Sequence, residues 1–263
     1  MTLNAKPGTP IWFDLGSSNV EKSAAFYSAI FGWTAEAVGG EETGGYTTYT
    51  HDRDLVAAVA PHQIDTPYHR PYGPDGSQGM PAIWTVYFHT DAVDELPARV
   101  TSAGGEIIML PMDVFGLGHM AVFADPAGAA FAVWQPGSMP GASKVNQPHS
   151  ISHVELVTDS VDEVRDFYRE VLALDPAGKG YDTTWTVDGE VVAATKSLKA
   201  SSAALPHWHI AIGVPDCATT VAAAVDAGAT LERGPLESSS GVRADLKDPL
   251  GAGFSIVQLG GEQ

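Results

Sequence analysis

Between Ile11 and Gly16 the sequence IWFDLG alternates in the manner of a strand, placing Phe13 and Leu15 on one side and Trp12 and Asp14 on the other. SHVELV, residues 152–157, does the same, with Val154 and Leu156 opposed to His153 and Glu155. The period then lengthens. Val161, Val164, Tyr168, Val171 and Leu172 form one apolar stripe, which predicts a helix. Ser160 with Glu163 fits a capping box at its start, and Ser18 with Glu21 repeats the signal. YTTYTHDRDLVAAVA and YDTTWTVDGEVVAAT each predict two strands, turning at Asp-Arg-Asp and at Asp-Gly-Glu. After each come a strand, a second helix ending near Ala-Gly, and a hairpin around Asp-Pro-x-Gly, whose residues read as turn chemistry.

The chain is thus a repeat. Residues 11–33 lie without a gap over residues 152–174, putting Phe26-Tyr27 on Phe167-Tyr168 at an offset of 167 − 26 = 141. IWTVYFHTD, ending at Asp91, lies over HWHIAIGVPD, ending at Asp216, at 216 − 91 = 125, so Trp84 falls on His209. ADPAGAAFAVWQ lies over KDPLGAGFSIVQ at 248 − 125 = 123, which sets Ala132 over Ser255. The drop of 141 − 125 = 16 assigns a longer, Pro- and Gly-rich connection to residues 61–81 of the first copy, a loop able to act as a lid, whose His62, Tyr68, His69 and Tyr72 either border the entrance or belong to a solvated loop. The expected organisation is a first module over 8–134, a polar linker over 135–149 and a second module over 150–259.

Composition narrows the partners. With 14 basic and 32 acidic residues the net charge is −18, a field that repels phosphate backbones and anionic lipid, so neither nucleic acid nor a membrane is an expected partner. Cys217 is the sole cysteine, which excludes an internal disulfide framework and points to the cytoplasm. No segment carries the roughly 20 apolar residues of a membrane span, and the first residues lack a signal-peptide core. Cys217 follows Asp216 at a predicted helix start, where a helix N-terminus lowers a thiol pKa.

The opening strand of each copy, the Phe-Tyr-x-x-x-[Phe/Leu] helix and the Asp-Pro-x-Gly turn before the last strand resemble the vicinal-oxygen-chelate superfamily, which holds glyoxalases, bleomycin-resistance proteins and dioxygenases. More narrowly, the chain resembles tandem-module actinobacterial proteins related to mycobacterial culture-filtrate antigens. The resemblance implies an α+β fold of two tandem βαβββ modules whose curled mixed sheets form open clefts. It also implies metal-ligand positions on the first strand, on the strand after the mid-module loop and on the last strand. In the second module these carry His153, His209 and Ser255; in the first they carry Trp12, Trp84 and Ala132, none of which ligates a divalent ion.

Parity brings Glu155 onto the face of His153, where it serves either as a third ligand in a two-His-one-carboxylate set for Fe, Mn or Zn, or as a general base. A single divalent metal is therefore expected in the second module only. Trp12, Asp14, Trp84, Trp134, His207 and Ser255 are the expected substrate-binding residues, the indoles offering stacking surface to a planar ligand. Two functions follow. One is a metal-assisted lyase, isomerase, hydrolase or oxygenase acting on a small oxygenated organic molecule. The other is a metal-free protein that binds and sequesters an aromatic metabolite or antibiotic, needing no cofactor. Metal content discriminates between them, and the oligomeric state stays open.

Overall fold

The computed structural model describes residues 5–40, 43–62, 82–198, 205–238 and 241–260. The expected lid, from residue 63 to residue 81, lies outside them. In the first repeat the elements are β1 (Pro10–Ser17), α1 (Val20–Phe31), β2 (Thr34–Ala37), β3 (Thr47–His51), β4 (Asp54–Pro61), β5 (Ile83–His89), α2 (Leu96–Ser102), β6 (Glu106–Asp113), β7 (Gly118–Ala124) and β8 (Ala130–Pro136). The second repeats them as β9 (Ile151–Val157), α3 (Val161–Leu172), β10 (Asp175–Ala177), β11 (Thr184–Val187), β12 (Glu190–Lys196), β13 (His207–Val214), α4 (Cys217–Asp226), β14 (Thr230–Ser238), β15 (Gly241–Lys247) and β16 (Gly253–Gln258). The order βαβββ thus occurs twice in each repeat.

Each repeat yields one eight-stranded sheet, in the orders β2-β3-β4-β1-β5-β8-β7-β6 and β10-β11-β12-β9-β13-β16-β15-β14. Neither closes into a barrel. Both are mixed: β1 with β4, β5 with β8, β9 with β12 and β13 with β16 run parallel, and the hairpins run antiparallel. The turns expected at Asp-Arg-Asp and Asp-Gly-Glu are present, and their central residues take positive φ: Asp52 at 53° and Arg53 at 74°, Asp188 at 51° and Gly189 at 83°. That is the backbone a two-residue hairpin needs to match strand twist.

The helix starts differ from the expected capping. Asn19, not Ser18, caps α1, its side chain accepting from the Lys22 N–H at 2.8 Å. Ser160 does precede α3, but its hydroxyl makes no capping bond.

By contact the chain forms two compact units, each drawn from both repeats. One comprises Met1–Trp12, Thr85–Ser143 and His153–His209; the other comprises Phe13–Trp84, Lys144–Ser152 and Ile210–Gln263. In the first, α2 packs on α3, and Phe131 meets Phe167 and Tyr168 at 6.0 and 5.8 Å between ring centres. In the second, α1 packs on α4, and Phe254 lies 6.2 Å from Phe26 and 5.7 Å from Tyr27. Each core carries one polar chain. Trp208 Nε1 donates to the Tyr168 hydroxyl at 2.9 Å, and that hydroxyl donates to Asp125 at 2.8 Å. Trp84, Tyr27 and Asp248 form the corresponding chain at 3.1 and 3.2 Å. Asp125 and Asp248 also hold their own turns, accepting backbone N–H groups of Ala129 and of Leu250 and Ala252. Burial pushes both carboxyls above the usual aspartate range.

Candidate functional site

In the α2/α3 unit, Val154 and Leu156 of β9 are buried, 3% and 0% exposed, so His153 and Glu155 project from the opposite face at half-buried positions. Parallel pairing with β12 sets Ala194 beside Glu155 and Lys196 beside Val157. On β13 the N–H of Trp208 is committed to Tyr168 on the helical side, which turns His207 and His209 the other way, their ring centres 5.8 Å apart and edge-on. His207 Nδ1 lies 3.0 Å from the Leu205 carbonyl oxygen. Burial is the main cause lowering the His207 pKa; the hydrogen bond to the Leu205 carbonyl opposes it, the Lys196 charge adds to it and the Glu155 charge opposes it. Burial thus favours the neutral form of His207, and Glu155, Lys196 and His207 share one electrostatic neighbourhood.

The two Trp–Tyr–Asp chains correct one alignment. They equate Trp84 with Trp208, an offset of 208 − 84 = 124, so the partner of His209 is Thr85. The sequence match was anchored on Asp91 and Asp216, but one extra residue separates Asp216 from its strand. A one-residue slip moves a side chain to the other face of a sheet. Trp84 accordingly points into the core of the α1/α4 unit.

Trp12, Trp84 and Trp134 are 2%, 4% and 4% exposed, so none presents an open ring face. Trp134 donates to the Met139 carbonyl at 2.9 Å and lies against Gly118, where a Cβ would stand 2.4 Å from its ring. Asp14 is buried and accepts from the Tyr46 hydroxyl at 3.3 Å. Ser255 is fully buried: its hydroxyl donates to Asp245 Oδ1 at 2.6 Å and accepts from Arg243 Nη2 at 2.6 Å. Cys217 is buried beneath the α4 N-terminus, and burial with the Asp216 charge pushes its thiol up, the reverse of the expected direction.

These residues fit a divalent centre poorly. Among the described residues no three His, Cys, Asp or Glu side chains converge. The hydroxyl at the last-strand position is already bonded to a guanidinium and a carboxylate. A hydroxyl donates to a divalent ion far less well than a carboxylate does.

The model of the Glyoxalase/Bleomycin resistance protein/Dioxygenase superfamily matches residues 10–133 and again 150–256. The chain belongs to this superfamily. It is similar to the anthracycline biosynthesis protein DnrV of Streptomyces peucetius, 56% identical over 258 residues that cover 96% of this chain and 94% of the relative. Among solved structures, a Mn(II)-bound glyoxalase from Novosphingobium aromaticivorans superposes with a TM-score of 0.65 at 15% identity, covering 97% of this chain and 83% of that one. The 2,3-dioxygenase LapB from Pseudomonas sp. KL28 gives 0.63 at 15%, covering 98% and 94%. At that identity the likeness is one of fold. The superfamily's name itself joins enzymes of small organic molecules to drug-resistance proteins. Among the described residues no helix is long and apolar enough to cross a membrane.

Sequence reasoning missed Arg243 and Asp245 altogether and took Asp125 and Asp248 for turn residues alone. The signal for the latter was the Tyr in each Phe-Tyr pair, a hydroxyl on an apolar helix stripe that requires a buried partner.

Proposed function

We propose that this chain receives an oxygenated polycyclic aromatic of the anthracycline class and serves its biosynthesis without a resident metal, with His153, Glu155, His207 and His209 meeting the polar edge of the ligand. The observation that carries the reading is the 56% identity to DnrV across 96% of the chain, which exceeds what a shared fold requires. His207, whose neutral form burial favours, is suited to exchanging hydrogen bonds with phenolic and quinone oxygens, and Glu155 is suited to holding a ligand ammonium group or moving a proton.

The experiment is titration of the purified chain with an anthracycline and with its neutral aglycone, followed by fluorescence, with and without EDTA, alongside elemental analysis. Expected are binding of both at one per chain, indifference to EDTA, and less than about a tenth of a metal ion per chain. Glu155→Gln should weaken the amino-sugar compound about three- to thirtyfold, the loss of one charge-assisted contact of about 0.6–2 kcal/mol, and leave the aglycone unchanged. Absence of binding refutes the proposal. A second reading, a metal-assisted enzyme, is supported by the family resemblance, which implies ligand positions at His153 and His209, with Glu155 as third ligand. A stoichiometric divalent ion lost on His153→Ala or His209→Ala would establish it.

A further inference from the structure

The segment leading into each repeat crosses a two-strand hairpin of the other, and the two crossings are built alike. Offsets of 149 − 8 = 141 and 187 − 51 = 136 set Gly8 over His149, Val187 over His51 and Asp188 over Asp52. Gly8 and His149 both take left-handed backbone, φ 88° and 63°, and their N–H groups donate to the carbonyls of His89 and Gly213 at 2.9 and 2.7 Å. At the first crossing Gly8 lies against Val187, whose Cγ2 would stand 3.2 Å from an added Cβ, and Lys6 pairs with Asp188. At the second, the ring of His149 stacks on that of His51, centres 4.6 Å apart, and Lys144 Nζ lies 2.9 Å from His51 Nδ1 and 4.0 Å from Asp52. Left-handed backbone favours glycine, and the first crossing closes without a histidine, so the fold itself requires neither ring.

His51 Nδ1 also lies 3.1 Å from Asp52 Oδ2. An ammonium only donates and a carboxylate only accepts, so these two neighbours require opposite states of one nitrogen. With its proton on Nε2, His51 accepts from Lys144; protonated at Nδ1, it donates to Asp52 and repels Lys144. We propose that the second crossing is a proton-operated latch: proton uptake from solvent at His51 Nδ1 exchanges the bond to Lys144 for one to Asp52 and frees residues 144–149 from the β3–β4 hairpin. The charged groups acting on His51 are Lys144 from the crossing segment and Asp52 and Asp54 from the hairpin; those acting on His149 are His51, Lys144 and Asp52. Burial foremost, then the Lys144 charge, favours neutral His51, and the two aspartates oppose them. His149 reinforces the release, since its Nδ1 is buried with no hydrogen-bond partner among the described residues and a charge there would lie against His51 and Lys144. The latch does not depend on the ligand proposed above.

The test is hydrogen exchange on the full chain from about pH 8 to about pH 5, either side of the ordinary histidine range, read as protection factors, with imidazole nitrogen shifts reporting the tautomer. Expected is neutral His51 protonated at Nε2. Toward acid, protection of the His149 amide and of the Trp33 indole N–H, which donates to the His149 carbonyl at 2.8 Å, should fall about ten- to a hundredfold, the worth of one charge-assisted hydrogen bond. The Gly8 amide should keep its protection. H51V/H149G, which installs the residues of the first crossing and leaves Lys144 to pair with Asp52, should stay protected throughout. Neutral His51 protonated at Nδ1, no acid loss of protection, an equal loss at Gly8, or the same loss in the double variant overturns the latch. Should the double variant not fold, K144M and D52N decide: the His51 titration midpoint should rise in the first and fall in the second, and any other pattern overturns the proposal.

Discussion

Replacing Tyr168 by Phe removes one hydroxyl and strands two buried groups. Trp208, Tyr168 and Asp125 are 3%, 0% and 2% exposed, so water cannot replace the lost partner on either side. An orphaned buried donor or acceptor costs about 1–3 kcal/mol, with a charged acceptor at the upper end. Asp125 keeps the Ala129 N–H at 2.8 Å, which limits its share. The expected loss is about 3–5 kcal/mol for Tyr168→Phe and about 1–3 kcal/mol for Tyr27→Phe, whose bonds are longer at 3.1 and 3.2 Å and whose Asp248 retains two backbone donors. Urea unfolding should show both as a lowered midpoint with unchanged slope. The Tyr168 hydroxyl favours the ionised form of Asp125, against burial that raises its pKa. A raised carboxyl pKa is a stability cost above the unfolded value that vanishes as the group protonates. The gap between parent and Tyr168→Phe should therefore be widest near neutral pH and shrink toward acid. A loss below about 1 kcal/mol, or a larger loss for Tyr27→Phe, would refute the account.

Gly118→Ala places a Cβ 2.4 Å from Trp134 Cζ2 and 2.7 Å from the Gln135 carbonyl oxygen. Overpacking of about 1–3 kcal/mol should lower the melting temperature by about 2–12 °C in a thermal scan. The rings of His51 and His149 stack at 4.6 Å, with Lys144 Nζ 2.9 Å from His51 Nδ1, and burial foremost lowers both pKa values, the nearby Lys144 charge adding to it. For a depressed histidine the stability is present above the unfolded pKa of about 6.5 and is lost as pH falls through the folded value, so melting temperature should decline on acidification below about 6.5. His149→Asn, suited to the φ of 63° there, should flatten that decline, and an unchanged slope would count against the stack as its source.

The sequence by itself determined the elements and their repetition. Phe26-Tyr27 over Phe167-Tyr168 fixed the equivalence of α1 and α3 because a helix stripe and a strand alternation are local, periodic consequences of which side is buried. Parity on β9 likewise set His153 and Glu155 away from Val154 and Leu156. Only the tertiary structure decided the rest. Trp84 and Trp208 become equivalent through the tyrosines they meet, and an anchor on Asp91 and Asp216 cannot register the extra residue that shifts the strand by one. Trp134 is closed from solvent by Met139 across a turn and by Gly118 on the neighbouring strand, which no local pattern encodes. The carboxylate partners of Tyr27 and Tyr168 lie 221 and 43 residues away, in the opposite repeat, because each core is assembled from halves of both. Arg243 carried no motif. Its place near Ser255 follows from the hairpin register, which no local pattern displays.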